Sequence, residues 1–206
     1  DYFKETYGRE TVFILNGIDV QNEKKADIIT KKYGLEKDGY ILFLARIVPE
    51  KGLHYLIDAF MQTDIDKKLV IAGGVSHSGE YAKQIHDMAK DDRIIFTGFV
   101  EGDELWELYY NCRMYVLPSD VEGMPISLLE AMACGCECLV SDIDTAKNVV
   151  GEYGYTFKKS DVNDLKNKLC EILGKQKADK AEQIEYVKNN YSWDEITDRT
   201  LELYKK

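Results

Sequence analysis

The stretch MYVLPSDVEGMPISLLEAMACGCECLVS (residues 114–141) decides the reading of the fold. Met114 to Leu117 and Cys138 to Ser141 are short runs of apolar, β-branched and aromatic residues of strand length. Between them, Pro125 has the fixed φ and missing donor suited to a first helical turn, and Gly135 suits a helix end. A helix is therefore predicted over Pro125 to Cys134. Strand, helix and strand in that order make a βαβ unit with parallel strands.

Two acids stand out inside this unit. Glu122 lies in the loop before the helix, and Glu130 interrupts the run Ile126 to Ala133, which is otherwise apolar apart from Ser127. An ionised carboxylate among Leu128, Leu129, Ala131 and Met132 is costly unless a donor reaches it or it stays protonated. A lone buried Glu is as readily a structural acid, paired with an Arg or with backbone amides, and an acid beside a loop glycine is usually solvated. Together, however, two hydroxyl-accepting groups flank free backbone amides at the positive end of a helix. That arrangement suits a polyol carrying a phosphate.

The same alternation runs along the chain. Strand-like segments are predicted at Thr11 to Leu15, Tyr40 to Ala45, Leu69 to Ala72, Ile94 to Thr97 and Tyr155 to Phe157, besides the two above. Helical patterns fall at Glu23 to Tyr33, Gly52 to Met61, Glu80 to Ala89, Asp103 to Asn111 and Asp161 to Leu173. The predicted fold is α/β, a Rossmann-like parallel sheet with helices on both faces. Two more helices, Ala178 to Asn190 and Trp193 to Tyr204, follow without a strand between them. They divide the chain into a sheet domain over residues 1–175 and a helical tail over 176–206.

In such a sheet the ligand lies beyond the carboxyl ends of the strands. The residues there are Arg46 to Gly52, Gly73-Gly74, Gly98-Phe99-Val100, Ser119 to Gly123 and Ser141 to Thr145. Any single glycine could simply end its strand, but glycine at four of the five ends points to a crevice. Arg46 and Lys51 would face it. A positive group about 4 Å from a phosphate charge contributes roughly 4 kcal/mol at an effective dielectric of about 20, before desolvation is subtracted. The competing reading pairs Arg46 with Glu50 or Asp58 and leaves Lys51 solvated.

With 37 acidic and 27 basic residues among 206, the net charge of −10 disfavours non-specific contact with nucleic acid or anionic lipid, so any phosphate must be held by local groups. No apolar stretch is long enough to span a membrane, and the start DYFKETYGRE lacks a signal's basic and apolar blocks, which makes the cytoplasm the expected location. The chain begins with Asp1, which suggests a fragment or a processed chain. Cys134, Cys136 and Cys138 are too closely spaced, with no histidine near, for the usual zinc patterns, and the five cysteines are expected to be buried reduced thiols. His54, His77 and His86 share no helix at ligand spacing, so no metal is expected. Gly73-Gly74 begins neither a Walker loop nor a dinucleotide fingerprint.

Five segments taken together carry a family resemblance: LNGID (15–19), ARIVPEKG (45–52), LVIAGG (69–74), IIFTGFV (94–100) and LPSDVEGMPISLLEAMACG (117–135). In that order and spacing they resemble the C-terminal half of family-4 (group 1) retaining glycosyltransferases of the GT-B fold. Glu122 and Glu130 resemble that family's E-x7-E motif. The resemblance implies a domain that holds a nucleoside-diphosphate sugar, UDP- or GDP-linked, without a metal or other cofactor. By it Arg46 and Lys51 neutralise the diphosphate, Glu122 contacts the sugar hydroxyls and Glu130 the ribose. Gly123 and Met124 lie near the sugar and distal phosphate, and Gly98, Phe99 and Val100 near the base.

The resemblance also implies a preceding N-terminal domain that supplies the acceptor site and any membrane contact at the inner face. This half alone is then expected to bind donor but to be inactive. One departure is SDIDTAKNVVG (141–151), where members often carry a Gly-Gly pair and an acid. A non-catalytic nucleotide-binding module, or a related GT-B phosphorylase or sugar-nucleotide epimerase, is the alternative function.

Overall fold

Alternate residues of the strands face opposite ways, and here both directions are apolar because both are covered. The computed structural model of the chain describes residues 2–12, 14–19, 21–75 and 79–205. Its sheet consists of β1 (Tyr40–Leu44), β2 (Lys68–Ala72), β3 (Ile94–Gly98), β4 (Met114–Leu117), β5 (Cys138–Ser141) and β6 (Tyr155–Phe157). All pairings are parallel, in the order β3-β2-β1-β4-β5-β6. From β1 the sheet grows one way through β2 and β3, and the other through β4, β5 and β6. The reversal leaves a crevice beyond the carboxyl ends of β1 and β4.

On one face Ile41, Phe43, Leu69, Ile71, Met114, Val116 and Leu139 pack under α3 (Leu53–Met61), α4 (Gly79–Met88) and α8 (Val162–Leu173). On the other, Tyr40, Leu42, Val70, Tyr115, Leu117 and Val140 meet α2 (Ile28–Tyr33), α5 (Gly102–Asn111), α6 (Ile126–Ala133) and α7 (Asp144–Val150). That second layer also contains Val187 and Tyr191 of α9 (Ala181–Tyr191). The helix following it, α10 (Trp193–Tyr204), buries only Ile196.

Buried polar contacts fasten the end of α8 and the segment that follows it to the sheet layers. Arg113, just before β4, pairs with Glu137 and donates to the carbonyls of Ile172 and Lys175, while Glu137 accepts from the Ala178 amide. Gln183 of α9 donates to the carbonyls of Met132 and Cys136 at the end of α6.

Several sequence expectations are corrected. No strand forms among the described residues of Thr11 to Leu15. Ile18 instead makes a single bridge to Ser192, its amide donating to the Tyr191 carbonyl. The helix predicted from Glu23 starts only at Ile28. Two short helices, α1 (Tyr2–Tyr7) and α7, are additional, and Pro49–Lys51 forms a 3-10 turn. Cysteines 112, 134, 136 and 138 are buried free thiols, but Cys170 is exposed. His54 is half-buried against the Tyr81 hydroxyl, and His77 lies outside the described residues.

Candidate functional site

The helix that carries Glu130 begins one residue later than predicted. Pro125 is its extended N-cap, with φ −79° and ψ 91°, and the carbonyl of Pro125 accepts from Leu128 and Leu129. The first amides of such a helix have no intrahelical partner and face the crevice end. At the other end Gly135, with φ +71°, closes a Schellman motif, its amide donating to Met132 and the Cys136 amide to Ala131.

Lys51 is brought to the same place by a backbone that only glycine fits. Gly52 follows the 3-10 turn with φ +66°, and a Cβ there would lie 2.0 Å from the Pro118 carbonyl oxygen. The loop after β1 therefore packs directly on the loop after β4. Across that contact the Lys51 ammonium meets Glu122 Oε1 at 2.6 Å, with side chains only 17% and 5% exposed. The Ser119 hydroxyl donates to the same oxygen at 2.7 Å, and Ser141 donates to the Ser119 carbonyl. Glu122 is thus a held, nearly buried carboxylate, and Lys51 is not a solvated helix-start residue.

Arg46 is exposed and has no ion pair among the described residues, so the expected alternative pairing with Glu50 or Asp58 does not form. Arg46, Lys51, Glu122, Met124, Ile126 and Ser127 line one hollow of about 240 Å³. Its floor is stiffened by Tyr115, buried in β4, whose hydroxyl donates to Ser127 Oγ at 2.9 Å.

Glu130 does not line that hollow. It lines a neighbouring one of about 250 Å³ with Gly17, Asp19, Trp106, Ile126 and Trp193. Ile126 borders both. Each hollow is smaller than the roughly 300–1,000 Å³ that holds a typical small ligand, so a molecule gripped by both acids must span the two.

Sequence reasoning missed most of the second hollow. Trp193 packs over Gly17, where a Cβ would come within 2.7 Å of the indole, and the Asn16 amide donates to Met124 Sδ at 3.1 Å. The one available signal was LNGID, whose glycine admits a close approach. The donor to Glu130 was also unseen: it is the hydroxyl of Tyr109, 2.9 Å from Oε2. Burial pushes the Glu130 carboxyl above its usual range, and the Tyr109 bond opposes that shift.

The remaining sequence candidates lie apart. Gly98 has φ +73°, Phe99 is 75% exposed beside Gly74, and Val100 turns its side chain into the core. None of the three borders either hollow. Gly123 is exposed at the loop tip with open space around its Cα. Among the described residues no group of three His, Cys, Asp or Glu could hold a metal ion. No helix there is long and apolar enough to cross a membrane.

A doubly wound parallel sheet with cations and acids at its switch point places those groups where open α/β sheets bind their ligands. The family model "Glycosyl transferases group 1" matches residues 25–191, and the chain belongs to that family. It is similar to O-antigen chain mannosyltransferase B of Escherichia coli, 27% identical over 86% of this chain and 48% of the relative. It is also 27% identical to an N-acetylgalactosaminyltransferase of Campylobacter jejuni that acts on N,N'-diacetylbacillosaminyl-diphospho-undecaprenol, over 92% of this chain and 50% of the relative.

The chain spans about half the length of these relatives. Among solved structures, sucrose-phosphate synthase of Thermosynechococcus elongatus matches with a TM-score of 0.84 at 21% identity, over 99% of this chain and 55% of that one. Anabaena HepE in complex with UDP and glucose matches with a TM-score of 0.81 at 21% identity, over 93% of this chain and 56% of that one. These likenesses place the fold among GT-B enzymes.

Proposed function

We propose that this chain is the donor-binding half of a retaining glycosyltransferase, transferring a sugar from a UDP- or GDP-sugar to an acceptor in polysaccharide or glycolipid synthesis. The observation that carries the reading is the meeting of Arg46, Lys51 and Glu122 around one hollow at the switch point between β1 and β4. Arg46 and Lys51 take the diphosphate and stabilise the charge that develops on it as the sugar leaves, with no metal needed. Glu122, already held by Ser119, accepts from sugar hydroxyls, and an analogue lacking such a hydroxyl leaves a buried acceptor unpaired.

Glu130 in the adjoining hollow takes the ribose. The backbone at Gly123 and Met124 lies toward the sugar, and Gly98 and Phe99, with the backbone of Val100, toward the base. The acceptor site belongs to an N-terminal domain beyond these residues, so the chain binds donor but transfers little by itself. Work in the cytoplasm, with any membrane contact made by the other half, follows from the same reading.

Calorimetric titration with UDP, GDP and ADP and their sugars, without added metal, tests it. One nucleoside diphosphate is expected to bind with clear preference. An equally feeble response to all of them would remove the donor site.

A further inference from the structure

Tyr109 lies on α5, outside both hollows, and its side chain is fully enclosed. Its ring packs between Trp106 and Tyr115, each with a centroid 6.0 Å away. Its carbonyl is held by the thiols of Cys112 and Cys136, at 3.3 and 3.1 Å. Among the described residues its hydroxyl has one partner, Glu130 Oε2, at 2.9 Å. Burial keeps the phenol neutral, so the hydroxyl is a permanent donor and Glu130 the acceptor. Among the described residues the other Glu130 oxygen has no hydrogen-bond partner, and the side chain borders the hollow under Trp193.

Resting on the nucleotide reading above, we propose that Tyr109 is the positioning residue for ribose recognition. Its hydroxyl fixes one oxygen of Glu130 so that the carboxylate meets the vicinal hydroxyls of a nucleoside diphosphate in its accepting form. Hydrogen bonds to an ionised acceptor are about twice as strong as neutral ones, so the bond also selects that form. The other titratable groups around Glu130 give no such help. Tyr115 gives its hydroxyl to Ser127 and the Leu44 carbonyl, and Asp19, across the hollow, is a second carboxylate. Tyr109 is the sole donor to the Glu130 carboxylate among the described residues.

The test compares UDP and GDP with their 2′,3′-dideoxy forms in calorimetric titrations of the wild-type chain and Tyr109→Phe. The wild type is expected to prefer the ribose ligand. Tyr109→Phe, which removes a single oxygen, is expected to weaken that ligand by about tenfold and the dideoxy ligand little, as loss of a bond to a charged group predicts. A second readout is the pH at which ribose preference disappears on acidification, expected to move up in Tyr109→Phe.

An equal loss for both ligands would make Tyr109 merely structural and overturn the proposal while leaving the donor site standing. A wild type that binds nucleoside diphosphates without preferring ribose would do the same. A wild type that binds none of them would overturn the functional reading first. If Tyr109→Phe does not fold, 3-fluorotyrosine placed at position 109, a stronger donor, must move the acid limit of ribose preference down, and an unchanged limit overturns the proposal.

Discussion

Replacing Lys51 by alanine separates two jobs that the structure gives to one ammonium. In the free chain it faces Glu122 at 2.6 Å, with side chains only 17% and 5% exposed. Removing one partner of a fully buried pair costs about 3–5 kcal/mol because a charge is left uncompensated. Here Ser119 still donates to Glu122 and Lys51 is partly open to water, so a loss of about 2 kcal/mol is the better figure.

At this chain length that corresponds to a fall in Tm of about 4–8 °C. Toward a diphosphate, the gross attraction of roughly 4 kcal/mol at about 4 Å is reduced by desolvation and by competition from Glu122. A net loss of about 2 kcal/mol weakens Kd about 30-fold. Calorimetry on folded protein gives Kd, and a thermal melt gives Tm. Adding Glu122→Gln removes the orphaned carboxylate and is expected to restore most of the Tm but not the affinity. If Lys51→Ala lowers Tm while Kd stays within about threefold, Lys51 is a structural cation and does not hold a phosphate.

Arg46→Ala is expected to weaken nucleotide binding about tenfold and to leave Tm within about 1 °C, because its side chain is exposed and has no ion pair among the described residues; a large Tm loss would contradict that exposed, unpaired placement. Gly52→Ala forces a side chain into φ +66° and against the Pro118 carbonyl, and is expected to cost about 3 kcal/mol of stability. A wild-type melt would contradict the close packing of the two loops. Glu130→Gln tests burial of the acid through pH. The folded chain holds the Glu130 proton more tightly than the unfolded chain, so that group's contribution to stability is complete below the ordinary value of 4.5 and is lost as pH rises through the raised one. The Tm of the variant minus that of the wild type is therefore expected to rise between about pH 4 and pH 7, and a difference that stays constant or falls would refute it.

Much of the sheet was legible because its central strands β1, β2, β4 and β5 are buried on both faces and read as apolar runs. β4, β5 and β6 fall where the sequence placed them. Thr11 to Leu15 has the same composition, but the sheet is complete with β3 and β6 at its edges, and Val12 is left 61% exposed. α1 buries no residue, and α7 is a seven-residue helix with no side-chain cap, so neither produced a sustained apolar stripe or a start signal. At the site, the apolar setting of Glu130 announced that a donor was needed. Nothing local could say that it stands on α5, or that Trp193 from the far end of the chain closes the hollow. Likewise Arg113 and Glu137 each border a strand as isolated charges, and only the fold shows that they pair.

A crystal structure of the chain with whichever of UDP or GDP binds it tests the central claim most directly. The account predicts diphosphate oxygens within about 3 Å of the Arg46 guanidinium and the Lys51 ammonium, and ribose hydroxyls against Glu130. A diphosphate seated elsewhere, for example in the lysine-bearing hollow beside Lys177, Lys180 and Lys188, would contradict it.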